Sequence, residues 1–480
     1  MGSSGAGVVA VLGGGISGLA AAYKLTQIHP APKRIVLLEA GKRLGGWIHS
    51  SRNKDGVVYE HGPRTLRPVG ESGTATLNLI QELGLQDQVI SVPYGHPSSI
   101  NRYVYTDSKL VRLPTQLSTL FLTKPPFRRP LIAAGLRDLI TRRSPKEDES
   151  MFDFVSRRLG SDIAEFAIDP LVRGVCAGDS KEISVKFLLK VFKDAEQKYG
   201  SITLGLLASA LRKTPPSSFP VSELAKKAKL ERWPVWSLQG GIQSFPETLA
   251  EKAAEAGAEL FVESPCTDLE FCKDGSVMVR CGEEELLCSR VISALPAFRL
   301  ADLVVKSHPS FAKMLKSIEF VTVGLVNLEW SGQKLSQDAF GFLVPSSQKI
   351  PLLGVVYDTC SFPQGDRTIV TAMMGGRWFE SLFGDNPTEQ TLLTVALKQI
   401  ESILGIKDSP SRSQVNILRK CIPQYVVGHY SQVDDIRRYV NENQLALDLT
   451  GASFDGVSVN DCVHNAIKTV DKFAAKMANH

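Results

Sequence analysis

Val8-Val9-Ala10-Val11-Leu12-Gly13-Gly14-Gly15-Ile16-Ser17-Gly18-Leu19-Ala20-Ala21-Ala22-Tyr23-Lys24-Leu25 is the stretch that decides the fold. Its first five residues are apolar without a break, the pattern of a strand buried on both faces of a parallel sheet. Its last seven are mostly helix formers. Between them, Gly13-x-Gly15-x-x-Gly18 has the spacing of a turn that receives a dinucleotide pyrophosphate. The first glycine permits the tight turn, the second lets the backbone approach the phosphates, and the third lets helix and strand pack closely. The helix N-terminus adds unpaired N–H groups and the positive end of its dipole. Ile35 to Leu38 reads as a second strand ending at Glu39, where a carboxylate can accept hydrogen bonds from ribose hydroxyls.

Further along, Arg102 to Lys146 holds ten Lys/Arg against only Asp107 and Asp138. They are interleaved with Leu117, Leu120, Phe121, Leu122, Phe127, Leu131, Ile132, Leu136, Leu139 and Ile140, and broken by Pro125, Pro126 and Pro130. Helical pattern runs from Met151 to Leu211, and Thr214 to Pro220 reads as a linker. Trp236 to Gly241 reads as a strand ending in a glycine turn, followed by a helix across Phe245 to Ala256. Strands are expected over Glu259–Val262, Val277–Cys281 and Arg290–Ser293. Residues 320 to 375 alternate β-like runs with Gly/Pro turns and suggest a separate mixed sheet. Leu447 to Leu449, a glycine loop and a helix from about Val459 to Met477 close the chain. Nucleotide-binding signals at both ends imply a discontinuous first domain.

At 480 residues the chain exceeds a single core, and 43% hydrophobic with 22% charged residues is globular composition. A net charge of +5 is too mild to imply nucleic acid. None of the eight cysteines forms a C-x-x-C pair, and no histidine lies at ligand spacing from another, so no metal site is expected. Free thiols are the expectation. The first seven residues lack the character of a secretory signal or cleavable presequence. Apolar runs such as Ile202–Leu211 are roughly half the ~20 residues that span a bilayer.

Glu39-Ala40-Gly41-Lys42-Arg43-Leu44-Gly45-Gly46 resembles the E-x(3)-R-x-G-G extension of the flavin amine oxidase superfamily. The resemblance implies FAD, bound by Gly13, Gly14, Gly15, Ile16, Ser17, Gly18, Glu39, Ala40, Arg43, Gly46 and Trp47. It implies that Arg43 approaches the phosphates. Gly62, Pro63, Arg64 and Thr65 resemble the loop beside the isoalloxazine, and Trp236 to Gly241 with Phe245-Pro246 resembles the superfamily's glycine turn. Cys266 and Asp268 are expected on a strand whose counterpart touches the adenine through its backbone. Val291-Ile292-Ser293-Ala294-Leu295-Pro296 is similar to the family's strand end. Gly456, Val457, Ser458 and Val459 resemble the closing motif, where a helix N-terminus faces the flavin N1/O2 edge and stabilises the anionic reduced form. No cysteine occupies the position used for covalent flavin, and Cys462 lies past the motif, so one non-covalent FAD per chain is expected.

A closer resemblance, across essentially the whole chain, is to the animal-type protoporphyrinogen oxidase family. It rests on Arg43-Leu44-Gly45-Gly46-Trp47-Ile48, Asn101-Arg102-Tyr103, Arg173-Gly174-Val175-Cys176-Ala177-Gly178, Gly341-Phe342-Leu343-Val344-Pro345-Ser346-Ser347, Cys421-Ile422-Pro423-Gln424-Tyr425 and Gly456 to Cys462. Phe342 departs from members that carry His there. The fold implied is α/β: a discontinuous Rossmann-like FAD domain (1–90, 216–300 and 441–480), a helical membrane-binding subdomain (91–215) and a mixed-sheet substrate domain (301–440). The activity implied is oxygen-linked oxidation of protoporphyrinogen IX to protoporphyrin IX, releasing hydrogen peroxide. Arg102 is implied as the propionate partner, and Phe340, Leu343 and Met373 as the residues that sandwich the macrocycle; no catalytic base is evident. The basic, Leu/Phe-rich stretch fits an interfacial attachment surface, though a helical subdomain with a solvated basic face would carry the same pattern. The family's place is the inner mitochondrial membrane, peripheral, on the intermembrane-space side, with a homodimer as one assembly. Two other readings stay open: a different FAD oxidase or desaturase of the superfamily, and a non-catalytic relative like the prenyl-protein escort proteins.

Overall fold

A computed structural model describes residues 7–114, 121–211 and 220–478. Leu117, Leu120, the linker over 214–219 and the first six residues lie outside the described residues. The described chain divides into two compact units. One gathers the residues up to Ser91, those from 217 to Glu319 and those from Tyr430 onward; the other takes Val92 to 216 and Phe320 to His429.

The first unit is built on a five-stranded parallel sheet. In chain order its strands are β1 (Val8–Leu12), β2 (Arg34–Leu38), β3 (Ala258–Phe261), β4 (Arg290–Ser293) and β5 (Leu447–Leu449), and in space they run β5-β4-β1-β2-β3. Val9, Ala10 and Val11 are fully buried at its centre, which is why the run is continuously apolar. Helices α1 (Ile16–Leu25), α2 (Gly70–Glu82), α3 (Ser244–Glu255) and α4 (Val459–Ala478) pack beside it. α1 touches both α3 and α4, and Ala20, Ala21 and Ala22 are fully buried, so small side chains on every face let three helices close in. A three-stranded antiparallel sheet over Asp268–Phe271, Val277–Cys281 and Glu284–Cys288 completes this unit's main elements. Cys266 precedes the first of these strands, not on it as expected, because its loop turns before the ladder begins.

The second unit holds a seven-stranded mixed sheet. Its order is Arg412–Pro423, Phe320–Ser331, Arg367–Gly376, Leu352–Tyr357, Gly341–Leu343, Tyr103–Thr106 and Lys109–Arg112. All neighbours are antiparallel except Gly341–Leu343 with Tyr103–Thr106. The hairpin at 103–112 therefore interrupts the stretch read as helical, because its ladder partner is far along the chain. One face of the sheet buries Val326, Leu328, Phe342, Val355, Ala372 and Met374 against the helix Glu389–Leu404. On the other face Val321, Val323, Leu325 and Leu353 are buried, with Met373 packed against them.

The helical part of this unit surrounds Met151, Phe154, Val155, Val172 and Ile183. A buried charge network fixes it. Arg158, without exposed surface, lies 3.2 Å from Asp138 and 3.0 Å from Glu196 and donates to the carbonyls of Asp138, Thr141 and Gly200. Glu196 also receives Arg157 and Lys193, both of which bind Glu149. Three acids (Asp138, Glu149 and Glu196) against three bases, each with more than one partner, is how such a cluster survives removal from water.

Candidate functional site

The glycine turn lies at the carboxyl ends of β1, β2 and β4, the end of a parallel sheet where ligands bind. Gly13 has φ +98°, and its N–H donates to the Leu38 carbonyl at 2.9 Å. A Cβ on Gly18 would stand 1.8 Å from the Gly13 carbonyl oxygen, so no other residue fits this helix against this turn. A Cβ on Gly15 would have nothing nearer than Gly46 Cα at 3.8 Å, and no side chain caps the first turn of α1. A side chain on Gly15 would thus meet little but Gly46, which leaves this face of the turn open, as a pyrophosphate requires.

Glu39 closes the turn from below. Its two carboxylate oxygens accept from the N–H groups of Gly14 and Gly41, each at 2.7 Å. A carboxylate accepts about four hydrogen bonds, which leaves capacity for ribose hydroxyls. Arg43 donates to the carbonyls of Leu44, Gly46 and Ile48 and so holds the double-glycine bend, with burial lowering its pKa below the ordinary value. Gly45 N–H donates to the Gly14 carbonyl at 2.8 Å, which ties the bend to the turn; Ala40, Gly46 and Trp47 lie exposed around it.

The remaining segments converge on the same place. A Cβ on Gly62 would strike the Trp47 carbonyl at 2.0 Å, so this loop with half-buried Pro63, Arg64 and Thr65 passes directly over residue 47. Ser237 donates to the Arg64 carbonyl, and Leu66 and Trp236 exchange backbone hydrogen bonds. Ala294, past the end of β4, lies against both Gly13 and Gly451. At the C-terminal helix, the Ser458 hydroxyl accepts from Asp461 N–H at 3.1 Å and donates to its carboxylate at 2.6 Å, a reciprocal cap. Gly456, at φ +145°, leaves room for that carboxylate, and Val457 is half-buried beside it. Val459 and Cys462 share a core with Ile16 and Leu19, and α4 packs against α1, so the tips of the two helices lie together.

In the second unit Arg102 lies with its guanidinium 4.6 Å from the centre of the Phe340 ring and donates to the Ser98 carbonyl. Leu343 pairs with Gly354, which pairs with Met373, so the two side chains face each other across a residue with none. Leu343 is wedged between Gly354 and Gly174: a Cβ on either would come within 2.8 Å of its Cδ2. All four candidate substrate residues are half-buried. Phe342 points to the opposite face, 2% exposed, with its ring near Tyr105 and Tyr357. The other distinctive segments brace this region. Arg173 stacks on Trp378 and donates to the Leu352 carbonyl, Asp169 accepts from Ser346 N–H, and Gln424 donates to the Cys176 carbonyl.

One pair escaped the reading of the sequence. His49 and His61 oppose each other across a hairpin turning at Asp55-Gly56, with rings 4.7 Å apart. The Asp-Gly turn is the local signal that would have set this register. His61 is buried, shares a 2.7 Å hydrogen bond with Ser51, and is pushed down to about 4 by burial, then by His49, Arg64 and Arg43.

The family model described as flavin containing amine oxidoreductase matches residues 16–472. Human protoporphyrinogen oxidase is 40% identical over 463 residues, 95% of this chain and 96% of that one. The protoporphyrinogen oxidase of Schizosaccharomyces pombe is 30% identical, covering 98% and 99% of the two chains. The chain belongs to the protoporphyrinogen oxidase family of the flavin-containing amine oxidoreductases. As a member it is an FAD-dependent oxidase. Among solved structures, an Exiguobacterium protein provisionally described as a protoporphyrinogen oxidase superposes with a TM-score of 0.80. It is 23% identical and covered over 100% of its length, with 99% of this chain matched, a likeness of fold. The family's cofactor suits the residues present: an uncapped helix tip over two facing glycines for the pyrophosphate, and a carboxylate with spare lone pairs for the ribose.

Proposed function

We propose that this enzyme oxidises protoporphyrinogen IX to protoporphyrin IX in haem synthesis, in repeated two-electron cycles, with molecular oxygen as final acceptor and hydrogen peroxide as by-product. The observation that carries the reading is the sheet face of the second unit, where Leu343 and Met373 flank the bare backbone of Gly354 near an arginine held on an aromatic ring. A flat apolar macrocycle needs such a slot, and its propionates need such a cation. Bound FAD, non-covalent and one per chain, would supply the hydride acceptor. The chain's own residues would do the rest. The α1 tip and Gly13–Gly18 bind the pyrophosphate, Glu39 takes the ribose, and the capped tip of α4 favours negative charge near Gly456–Val459. Arg102 orients the substrate through a propionate; Phe340, Leu343 and Met373 exclude water from the ring. The reaction needs no strong base, since the pyrrole proton can leave to solvent.

A membrane-surface location accompanies this reading. No described helix is long and apolar enough to cross a membrane. The helices Leu131–Ile140 and Ile202–Ala210 pack together and leave Ile132, Leu136, Ile140, Leu207 and Leu211 exposed, with Arg128, Arg129, Arg142 and Arg143 exposed around the first. Apolar groups flanked by cations suit the headgroup region of an anionic bilayer, here the intermembrane-space side of the inner mitochondrial membrane.

The test is turnover. Purified yellow protein given anaerobically prepared protoporphyrinogen IX and then oxygen should produce porphyrin fluorescence and peroxide well above the non-enzymatic rate. Faster turnover of coproporphyrinogen or of amines would replace the substrate assignment, and colourless protein that takes up no FAD would end it.

A further inference from the structure

Cys266 lies just before the strand Asp268–Phe271, and Cys281 ends the strand Val277–Cys281. The strands are antiparallel with Asp268 opposite Arg280, and Thr267 continues the ladder, its N–H donating to the Arg280 carbonyl at 2.8 Å. This register sets Cys266 beside Cys281 across the ladder, with the Cys266 thiol donating to the Asp268 carbonyl at 3.6 Å; both thiols are free and half-buried. Exposed Pro265, Thr267 and Gly282 surround them, so a small oxidant can reach the sulfurs.

The pair also sits at a meaningful place. Glu39 N–H donates to the Phe261 carbonyl, Glu263 N–H to the Gly41 carbonyl, and Ser264 N–H to the Glu39 carbonyl. The chain thus leaves the backbone of the ribose-binding acid and reaches Cys266 two residues later. We propose that Cys266 and Cys281 are a peroxide-responsive dithiol whose closure to a disulfide clamps the 261–266 segment onto the Glu39 end of the nucleotide site. The clamp, though not the bridge, rests on the FAD reading above.

The two sulfurs have unequal roles. The neighbouring Cys266 thiol holds Cys281 below its ordinary pKa, against burial and Glu284, while Cys281 and burial raise Cys266. Cys281 is therefore the nucleophile. Its thiolate attacks one oxygen of a hydroperoxide, the O–O bond breaks, and the sulfur is oxidised to a sulfenic acid as hydroxide leaves and takes up a proton to become water. Cys266 then attacks that sulfur, forming the S–S bond and releasing a second water, its own proton going to the departing oxygen. Two thiols and one hydrogen peroxide give one disulfide and two waters.

The experiment uses holoenzyme, reduced with dithiothreitol, desalted and titrated with hydrogen peroxide. Non-reducing peptide mapping should find Cys266 linked to Cys281, lighter by two hydrogens and restored by dithiothreitol, before other cysteines react. C266S should instead accumulate a sulfenic acid on Cys281 that dimedone traps, and C281S should do neither. Oxidation of other thiols first, or sulfinic acid on Cys281 without a bridge, overturns the dithiol. The clamp is read separately, as flavin fluorescence released in mild urea: the bridged form should lose FAD several-fold more slowly than the reduced form. Equal rates with the bridge present overturn the clamp. A chain that holds no flavin in either state sinks the FAD reading and the clamp together, while the bridge stays readable in the peptide map.

Discussion

The glycine turn of the first unit and the proposed substrate slot on the sheet of the second are both places where a missing side chain makes room, yet they are specified differently. At the turn, Gly18 is demanded by an oxygen five residues earlier, and the double-glycine bend that closes on it is held by its own Arg43. At the slot, Gly354 separates Leu343 from Met373, and Gly174 from a distant helix presses on the same leucine. A local constraint writes itself as a motif. A long-range one leaves single, ordinary-looking residues scattered over two hundred positions.

The largest effect should come from what supports the second region. Arg158→Ala leaves Asp138 and Glu196 buried without their central cation, which costs about 3–5 kcal/mol. Urea unfolding should show it, and a loss under ~1 kcal/mol would mean the network is neutral, as some buried networks are. Next comes the turn itself. Gly18→Ala drives a Cβ into the Gly13 carbonyl, a clash of about 3 kcal/mol that should empty the protein of flavin, measured as the flavin-to-protein absorbance ratio. Gly15→Val sharpens the contrast, because a Cβ there meets only open space and Gly46. That variant should fold with a near-normal Tm and still lose FAD. If it unfolded instead, the open space above Gly15 would not be a ligand's.

This difference also explains what the amino-acid sequence made readable. Val8–Leu12, Arg290–Ser293 and the helix from Val459 appear where expected, since strand, turn and helix signals sit side by side. The hairpin at 103–112 was hidden because its partner is at 341–343, and only a resemblance singled out Arg102 and Phe340, which the fold stacks together. Charge misled most. Asp138, Arg158, Lys193 and Glu196 look like solvated helix residues and are buried. The His49–His61 and Cys266–Cys281 pairs come from hairpin register, which cysteine and histidine spacing does not encode.

Arg102→Ala tests the slot without touching the turn. Removing a charged hydrogen-bond partner is worth about 1.5–3 kcal/mol, so KM for protoporphyrinogen should rise about 10- to 100-fold with flavin content unchanged. Loss of flavin in this variant would break the division between the two regions, and unchanged kinetics would remove Arg102 from the substrate site.

The smallest effect separates the regions by pH. The ordinary histidine value is 6.5, whereas in the fold burial, His49, Arg64 and Arg43 push His61 down to about 4. Folding therefore keeps His61 neutral while the unfolded chain protonates it. The stability this confers is complete above pH 6.5 and is lost as pH falls toward 4, at about 1 kcal/mol between pH 6 and pH 5. His61→Leu removes the proton uptake and should flatten that slope, measured by urea midpoints across the interval. Because His61 follows the hairpin that packs on the Gly240-Gly241 turn of the first unit, acid should release flavin from the native protein before it alters the sheet carrying Arg102, and the leucine variant should keep its flavin to lower pH. An identical pH slope in the variant would mean that another group carries the acid sensitivity.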